Sequence, residues 1–197
     1  MYLIAGLGNP GPDYRFTRHN MGFRILEAWA ESLGVRLSGR HFQSGSARTM
    51  FLGRSLILLC PMTFMNRSGE AVQACARYYR VEKKDILIVH DDLDLPLGRV
   101  RIAAGGGAGG HKGVASVVRH LGSPDIPRLK VGIDRPEQRQ AVDDYVLSNF
   151  SREEHEMVIQ VIQLGVRACE VFVVEGVDAA MNAINGISLI QPKEGIS

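Results

Sequence analysis

Two hydrophobic periods take turns along the chain, and each predicts a different element. Tyr2 to Ala5 is a short apolar run ending at Gly6, the signature of a strand entering a turn. From Asn20 the period becomes helical: Phe23, Leu26, Ala30 and Leu33 fall on one face, Asn20 stands at the cap position and Gly34 supplies the stop. Phe42 to Leu52 and Ser55 to Cys60 read as two strands around Gly53, a hairpin signal, with Pro61 ending the second. Val72, Cys75, Ala76 and Tyr79 return to helical spacing and predict a helix from about Ser68 to Tyr79. Ile86 to His90 is a nearly continuous apolar run, as expected of a strand buried on both faces. Arg99 to Ala103 alternates charged and apolar residues, like a strand with one wet face. A glycine loop follows from Gly105 to Gly110, then a helix from about Gly113 to Leu121 and a buried strand from Leu129 to Ile133. A long helix from Glu153 to Glu175 and a short one from about Asp178 to Ala183 close the pattern. Strands and helices alternate nearly throughout. The expected class is therefore α/β: a single domain over residues 1–190 with a mixed, mostly parallel twisted sheet surrounded by helices. Pro136 to Gln140 reads as a polar connection, and residues 191–197 as a frayed tail.

Composition narrows this picture. The length of 197 residues suits one domain, and 23 basic against 21 acidic residues leave a formal net charge of +2. That balance argues against a protein that coats nucleic acid, while allowing a local patch that touches a few phosphates. No apolar run is expected to be long enough to cross a bilayer, and no charged-then-apolar leader is evident. Cys60, Cys75 and Cys169 are odd in number, widely spaced and set among apolar residues. They read as reduced core residues of a cytoplasmic protein, not as a disulfide framework or a zinc site.

Candidate chemistry lies in four segments that each follow a predicted strand. The first carries Asn9 and His19, the second runs from Pro61 to Asn66, the third is His90-Asp91-Asp92-Leu93-Asp94, and the fourth runs from Gly105 to Gly113 with His111 and Lys112. Loops at strand ends of an α/β sheet can converge on one crevice. A histidine, carboxylates and amides gathered there suggest hydrolysis: an imidazole, ordinarily titrating near neutrality, takes a proton from water while a carboxylate orients it. Amide donors hold a carbonyl or oxyanion.

Other readings compete for each piece. Gly6, Gly8 and Gly11 fit a dinucleotide-binding turn, but Pro10 and Pro12 deny the helix that must begin there. Gly105, Gly107 and Gly110 share that spacing, and His111 before Lys112 breaks the phosphate-loop pattern. His90, Asp91 and Asp94 suit a metal-dependent hydrolase, or merely an acidic turn. Asn66 is well placed to cap the next helix, and Phe64 and Met65 can be core or site. No serine or cysteine occupies a nucleophile-elbow pattern.

Taken in order, five motifs resemble the bacterial peptidyl-tRNA hydrolases. They are Gly6-Leu7-Gly8-Asn9-Pro10-Gly11, Thr17-Arg18-His19-Asn20, Pro61-Met62-Thr63-Phe64-Met65-Asn66-Arg67-Ser68-Gly69, His90-Asp91-Asp92-Leu93-Asp94-Leu95-Pro96 and Gly109-Gly110-His111-Lys112-Gly113. The resemblance runs from about residue 1 to 185. It implies a monomeric α/β domain of phosphorylase/hydrolase-like architecture that cleaves the ester between a peptide and the 3′ ribose of tRNA, with no metal or nucleotide cofactor and no membrane partner. By matched position it implies His19 as catalytic base and Asp91 as its orienting carboxylate. It implies Asn9 and Asn66 as groups that hold the substrate carbonyl and peptide backbone, and Tyr14 and Met65 as pocket lining. Two positions depart from the family. Lys112 stands where an Asn that contacts substrate and water is common; it keeps donors, loses an acceptor and adds a charge that can reach a phosphate of the tRNA end. Ala103 stands where a basic residue is frequent, leaving Arg99, Arg101, Arg128 and Lys130 as candidate phosphate contacts. Arg128 and Lys130 share one face of their strand. Relatives that have become RNA-binding cofactors define the remaining alternative, a catalytically inactive RNA-binding protein.

Overall fold

The computed structural model describes residues 1–136 and 141–190. Six strands, β1 (Tyr2–Gly6), β2 (Ser44–Phe51), β3 (Arg54–Pro61), β4 (Ile86–Asp92), β5 (Val100–Ala103) and β6 (Arg128–Gly132), form one sheet in the order β2-β3-β1-β4-β6-β5. The four central strands are parallel, and the two edges, β2 and β5, run antiparallel to their neighbours. Among the described residues the helices are α1 (Met21–Ser32), α2 (Ser68–Tyr79), α3 (Lys112–Leu121), α4 (Val142–Val146), α5 (His155–Glu175) and α6 (Val177–Ile184). The expected mixed, mostly parallel sheet with helices around it is what forms. The tail at 191–197 and most of the Pro136–Gln140 connection lie outside the described residues.

The continuous apolar strands are explained by two cores. Ile4, Leu58, Leu87, Val89, Leu129 and Val131 pack toward α1, α5 and α6. Leu3, Ala5, Ile57, Leu59, Ile86 and Ile88 pack toward α2 and α3. Strand pleating sends successive side chains to opposite faces, so a strand covered on both sides must be apolar at every position. The three thiols sit inside these layers, free and buried, and burial pushes each well above the usual thiol range.

Two expectations need correction. The hairpin begins at Ser44 rather than Phe42, because Phe42 and Gln43 adopt positive φ (58° and 52°) and cannot pair as strand. The expectation that no run is long enough for a membrane is also too strong: α5 spans 21 residues with a mean hydropathy of 1.8 over its best window. In this fold its apolar length is a core face, with Val161, Leu164, Ala168, Cys169, Phe172 and Val173 buried in the layer it shares with α1 and α6.

One contact sets the position of everything that follows. A Cβ added to Gly22 would lie 2.4 Å from both the Leu7 nitrogen and the Val89 oxygen, so the first turn of α1 sits directly on the ends of β1 and β4. His19, three residues earlier, is thereby delivered to the end of β4. Gly22→Ala is expected to cost about 3 kcal/mol of stability, since a backbone must move to admit the methyl group. Denaturant unfolding of the variant measures this.

Candidate active site

The site forms where β1, β3 and β4 end and where the glycine loop enters α3. Asn9, three residues beyond β1, is fixed from both sides. Its backbone N–H donates to Asn20 Oδ1 at 2.9 Å, and Asn20 Nδ2 returns a bond to the Asn9 carbonyl at 3.0 Å. The side chain of Asn20 is therefore spent on Asn9, and it does not cap α1 as the sequence suggested. Asn9 Oδ1 accepts the Met65 N–H at 2.9 Å, which leaves Nδ2 on the other side of the amide with no partner among the described residues. Beside it, Arg18 anchors the turn that carries His19. Its guanidinium pairs with Glu154 at 2.9 and 2.7 Å and lies 4.6 and 4.5 Å from the rings of Tyr145 and Phe150.

His19 and Asp91 meet at this point. His19 Nδ1 is 2.9 and 3.0 Å from the two Asp91 oxygens, and both residues are buried. His111 approaches the same carboxylate, with Nε2 2.9 Å from Oδ1. Burial works to raise the Asp91 carboxyl, but the charges and hydrogen bonds of His19 and His111 outweigh it and hold the group well below the usual carboxylate range. An ionised carboxylate only accepts, so each ring must present an N–H to it. The network fixes both tautomers. His111 Nδ1 accepts the N–H groups of Gly113 and Val114 at 3.1 and 3.2 Å, capping α3, so its proton is on Nε2. His19 carries its proton on Nδ1 and has its lone pair on Nε2.

His111 was quoted from the sequence but given no role there. Its signal was legible: a polar residue between a glycine run and an apolar helical period is an N-cap, and a capping imidazole has only one nitrogen left to donate. His90 is the third ring. Its Nδ1 donates to the Asp91 carbonyl at 2.7 Å, and its plane meets His111 edge-on at 4.9 Å. Burial, chiefly, lowers its pKa from 6.5 to about 3. Unfolding restores the higher value, so between those limits the unfolded chain binds a proton that the folded chain refuses, and stability falls as pH drops below 6.5. Between pH 6.5 and about pH 5 this group alone is expected to remove about 1.5 kcal/mol from the unfolding free energy. His90→Phe should lack that component of the slope in denaturant titrations at the two pH values.

The metal cluster read from His90, Asp91 and Asp94 does not assemble. Asp94 is exposed and pairs with Arg135, its N–H donates to Asp92 Oδ1 at 2.8 Å, and the segment is an acidic turn. The three groups that do converge, with ligand atoms within 4.8 Å of one another, are His19, Asp91 and His111. They could hold an ion only by giving up the N–H···O bonds that now join them.

The other expected residues divide. Lys112 stands at the mouth of a cavity of about 240 Å³ lined also by His19, His90, Asp91, Gly109 and Asp143. Its ammonium bonds both Asp143 oxygens at 2.9 Å. Asn9 and Asn20 border a second hollow of about 350 Å³ with Phe23 and Met62. Asn66 is exposed and does not cap α2. Met65 is 4 % exposed and belongs to the core between β1 and α3, meeting Asn9 through its backbone; the exposed neighbour is Phe64. Tyr14 is half-buried, with its carbonyl accepting from Thr17. Among the phosphate candidates, Arg128 is a correction. It is 1 % exposed, and its guanidinium is consumed by the carbonyls of Gly106, Gly107 and Pro124. The strand face it shares with Lys130 is wet only at Lys130, because the glycine loop covers Arg128. Lys130 is paired with Asp92 at 2.9 Å, Arg99 donates to the Asn185 carbonyl at 3.2 Å, and Arg101 is exposed opposite Lys130 in the register.

A mixed α/β sheet that gathers an ionised carboxylate, an imidazole with a free lone pair and an oriented amide at its strand ends defines a class: an enzyme of this architecture with a polar site and, among the described residues, no serine or cysteine lining its cavity. Comparison with known proteins specifies it further. The family model described as peptidyl-tRNA hydrolase matches residues 3–193. A peptidyl-tRNA hydrolase of Desulfitobacterium hafniense is 45 % identical over 185 residues, covering 94 % of this chain and all of that one. One of Clostridium acetobutylicum is 41 % identical over 189 residues, covering 96 % of this chain and all of its own. The crystal structure of the peptidyl-tRNA hydrolase from Acinetobacter baumannii superposes with a TM-score of 0.89 at 37 % identity, over 95 % of this chain and 96 % of that one. The chain belongs to the peptidyl-tRNA hydrolase family.

Proposed function

We propose that the chain hydrolyses the ester that joins the C-terminus of a peptide to the 3′ ribose of tRNA, with His19 as general base. The observation that carries this reading is the chain of bonds from His111 through Asp91 to His19, which orients the His19 ring and leaves its Nε2 with a free lone pair. Nε2 takes a proton as water attacks the ester carbonyl, and Asp91 stabilises the imidazolium that results. Asn9 Nδ2, held by the Met65 N–H on its opposite edge, is a preorganised donor for the carbonyl oxygen as it becomes an oxyanion. The imidazolium then returns its proton to the departing ribose oxygen. A free carboxylate and a tRNA with an intact 3′ hydroxyl leave. On this reading Asn66 and the exposed Phe64 near it follow the peptide, and Tyr14 flanks the terminal nucleotide. On this reading the chain works as a monomer in the cytoplasm, its thiols reduced.

Lys112 takes part through its charge. Its pair with Asp143 is exposed and so weakly held, leaving the ammonium available to a phosphate near the tRNA end. Lys112→Ala is expected to raise KM several-fold with little change in kcat, and Lys112→Asn to retain activity; steady-state kinetics on one substrate checks both.

An inactive RNA-binding protein is not favoured, because the hydrogen-bonded triad is complete. Substrate choice tests the reading. A peptide offers an amide next to the ester, whereas a free aminoacyl group presents an ammonium that mismatches the donors aligned for it. N-acetylaminoacyl-tRNA should be cleaved at least tenfold faster than the same aminoacyl-tRNA with a free amine. Equal rates would contradict it.

A further inference from the structure

The site uses the ends of the strands, yet a positive surface without ion-pair partners among the described residues lies elsewhere. α2 and α3 both begin at the site, one just after Asn66 and the other just after His111, and they pack side by side. α2 is 12 residues long, so its far end is about 18 Å from the chemistry. There the two helices end around an open groove of about 400 Å³ that is lined by Gln73, Arg77, Arg80, Lys83 and His120. Arg119 precedes His120 in the last turn of α3. None of Arg77, Arg80, Lys83 or Arg119 has a carboxylate partner among the described residues. Of the acids nearby, Glu82 pairs with Lys84 and Glu70 with Arg67, which leaves Asp85 as the acid beside Lys83. For a chain with a formal net charge of only +2, this is a concentrated field.

An aromatic surface adjoins it. Tyr78 is 70 % exposed, with its ring 4.8 Å from Tyr79 and 5.5 Å from Phe42. Phe42 is held in that place by a left-handed turn at Phe42 and Gln43, a conformation that costs a non-glycine residue on the order of 1 kcal/mol. Arg48 lies 5.7 Å over the Tyr79 ring. Unpaired cations beside an exposed, braced ring match the sugar-phosphate backbone of RNA, which offers regularly spaced phosphates to the cations and sugar or base faces to the ring.

We propose that the far ends of α2 and α3 form a second RNA-contact surface that holds the backbone of the tRNA body while its 3′ end lies at His19. The proposal rests on the reading of the site as a peptidyl-tRNA esterase. It assigns affinity for the long substrate to Arg77, Arg80, Lys83 and Arg119, which do not touch the ester.

The test is the triple variant Arg77→Gln, Arg80→Gln, Lys83→Gln, compared with a control variant Arg36→Gln, Arg54→Gln, Arg152→Gln that removes the same charge from exposed positions elsewhere. Two substrates are used: full-length N-acetylaminoacyl-tRNA and an N-acetylaminoacyl CCA trinucleotide. For the triple variant KM should rise about tenfold on the full-length substrate and stay unchanged on the trinucleotide, with kcat constant on both. The slope of log affinity for deacylated tRNA against log salt should fall by about two to three, and the control variant should behave like the natural chain. An unchanged KM, an equal rise on both substrates, or an equal effect of the control variant would overturn the proposal and leave the surface to a partner other than RNA. Binding of deacylated tRNA separates this from the site: tenfold weaker binding by the triple variant, with neither substrate cleaved by the natural chain, would uphold the surface and reject the esterase reading.

Discussion

Replacing His19 with alanine is expected to lower kcat on N-acetylaminoacyl-tRNA by about 10³-fold while leaving KM within a few-fold of the natural value. The expectation follows from what each neighbouring group can do with a proton. Asp91 is ionised and already accepts two N–H groups, His111 has spent Nδ1 on the start of α3, and His90, whose Nε2 has no partner, is made a weak base by the burial that lowers its pKa to about 3. No second base stands ready to take the proton from water, and a positioned base contributes roughly 10²–10⁴ to the rate. Binding should survive because Asn9 is held by Asn20 and Met65 rather than by His19. A single-turnover time course separates the chemical step from binding. A variant that keeps more than a tenth of the natural rate would place the base elsewhere.

Asp91→Asn is the second large effect, expected at about 10²–10³-fold in kcat. The substitution is nearly isosteric, so the fold should hold. The remaining oxygen lies 2.9 Å from both His111 Nε2 and His19 Nδ1, but the amide nitrogen that replaces the other faces His19 Nδ1, 3.0 Å away, as a donor. That donor favours the tautomer with its lone pair on Nδ1, which moves the proton to Nε2 and removes the base from the cavity. The imidazolium also loses its counter-charge. Asp91→Glu keeps the charge but overreaches two partners at 2.9 Å, and should recover only part of the activity. Measured kcat values for the two variants distinguish tautomer control from simple charge.

These predictions show where the sequence speaks plainly. The helix from Ser68 to Tyr79 was legible because its period is set by burial against a continuous core, and the hairpin because Gly53 takes the positive φ of a tight turn beside the buried strand β3. α4 was not. It is five residues long, and Val142-Asp143-Asp144-Tyr145-Val146 is too short to establish a period, although Tyr145 and Val146 are buried. In the site, His19 and Asn9 announced themselves through the rigid turn around them. Which of three acidic residues meets His19 required a resemblance. The structure supplies the physical reason for the choice: Asp92 is drawn off by Lys130 and Asp94 by Arg135, and only Asp91, one residue before the end of β4, faces the turn before α1. Arg128 misled because alternation along a strand predicts a face, not what covers it. Asn20 misled in the same way: a cap residue and a residue that braces a neighbouring turn look alike until the partner is known.

In the proposed mechanism, water is activated by His19 within a hydrogen-bonded His-Asp-His array and needs no bound ion. The most direct measurement is release of tRNA from N-acetylaminoacyl-tRNA by the purified chain in excess of a strong chelator, with the tRNA refolded beforehand in magnesium and its integrity checked afterwards. An unchanged initial rate is expected with chelator present, and a loss of about 10³-fold in His19→Ala under the same conditions. Activity that disappears with the chelator and returns on adding a divalent ion would contradict it, and would mean that His19, Asp91 and His111 act as ligands.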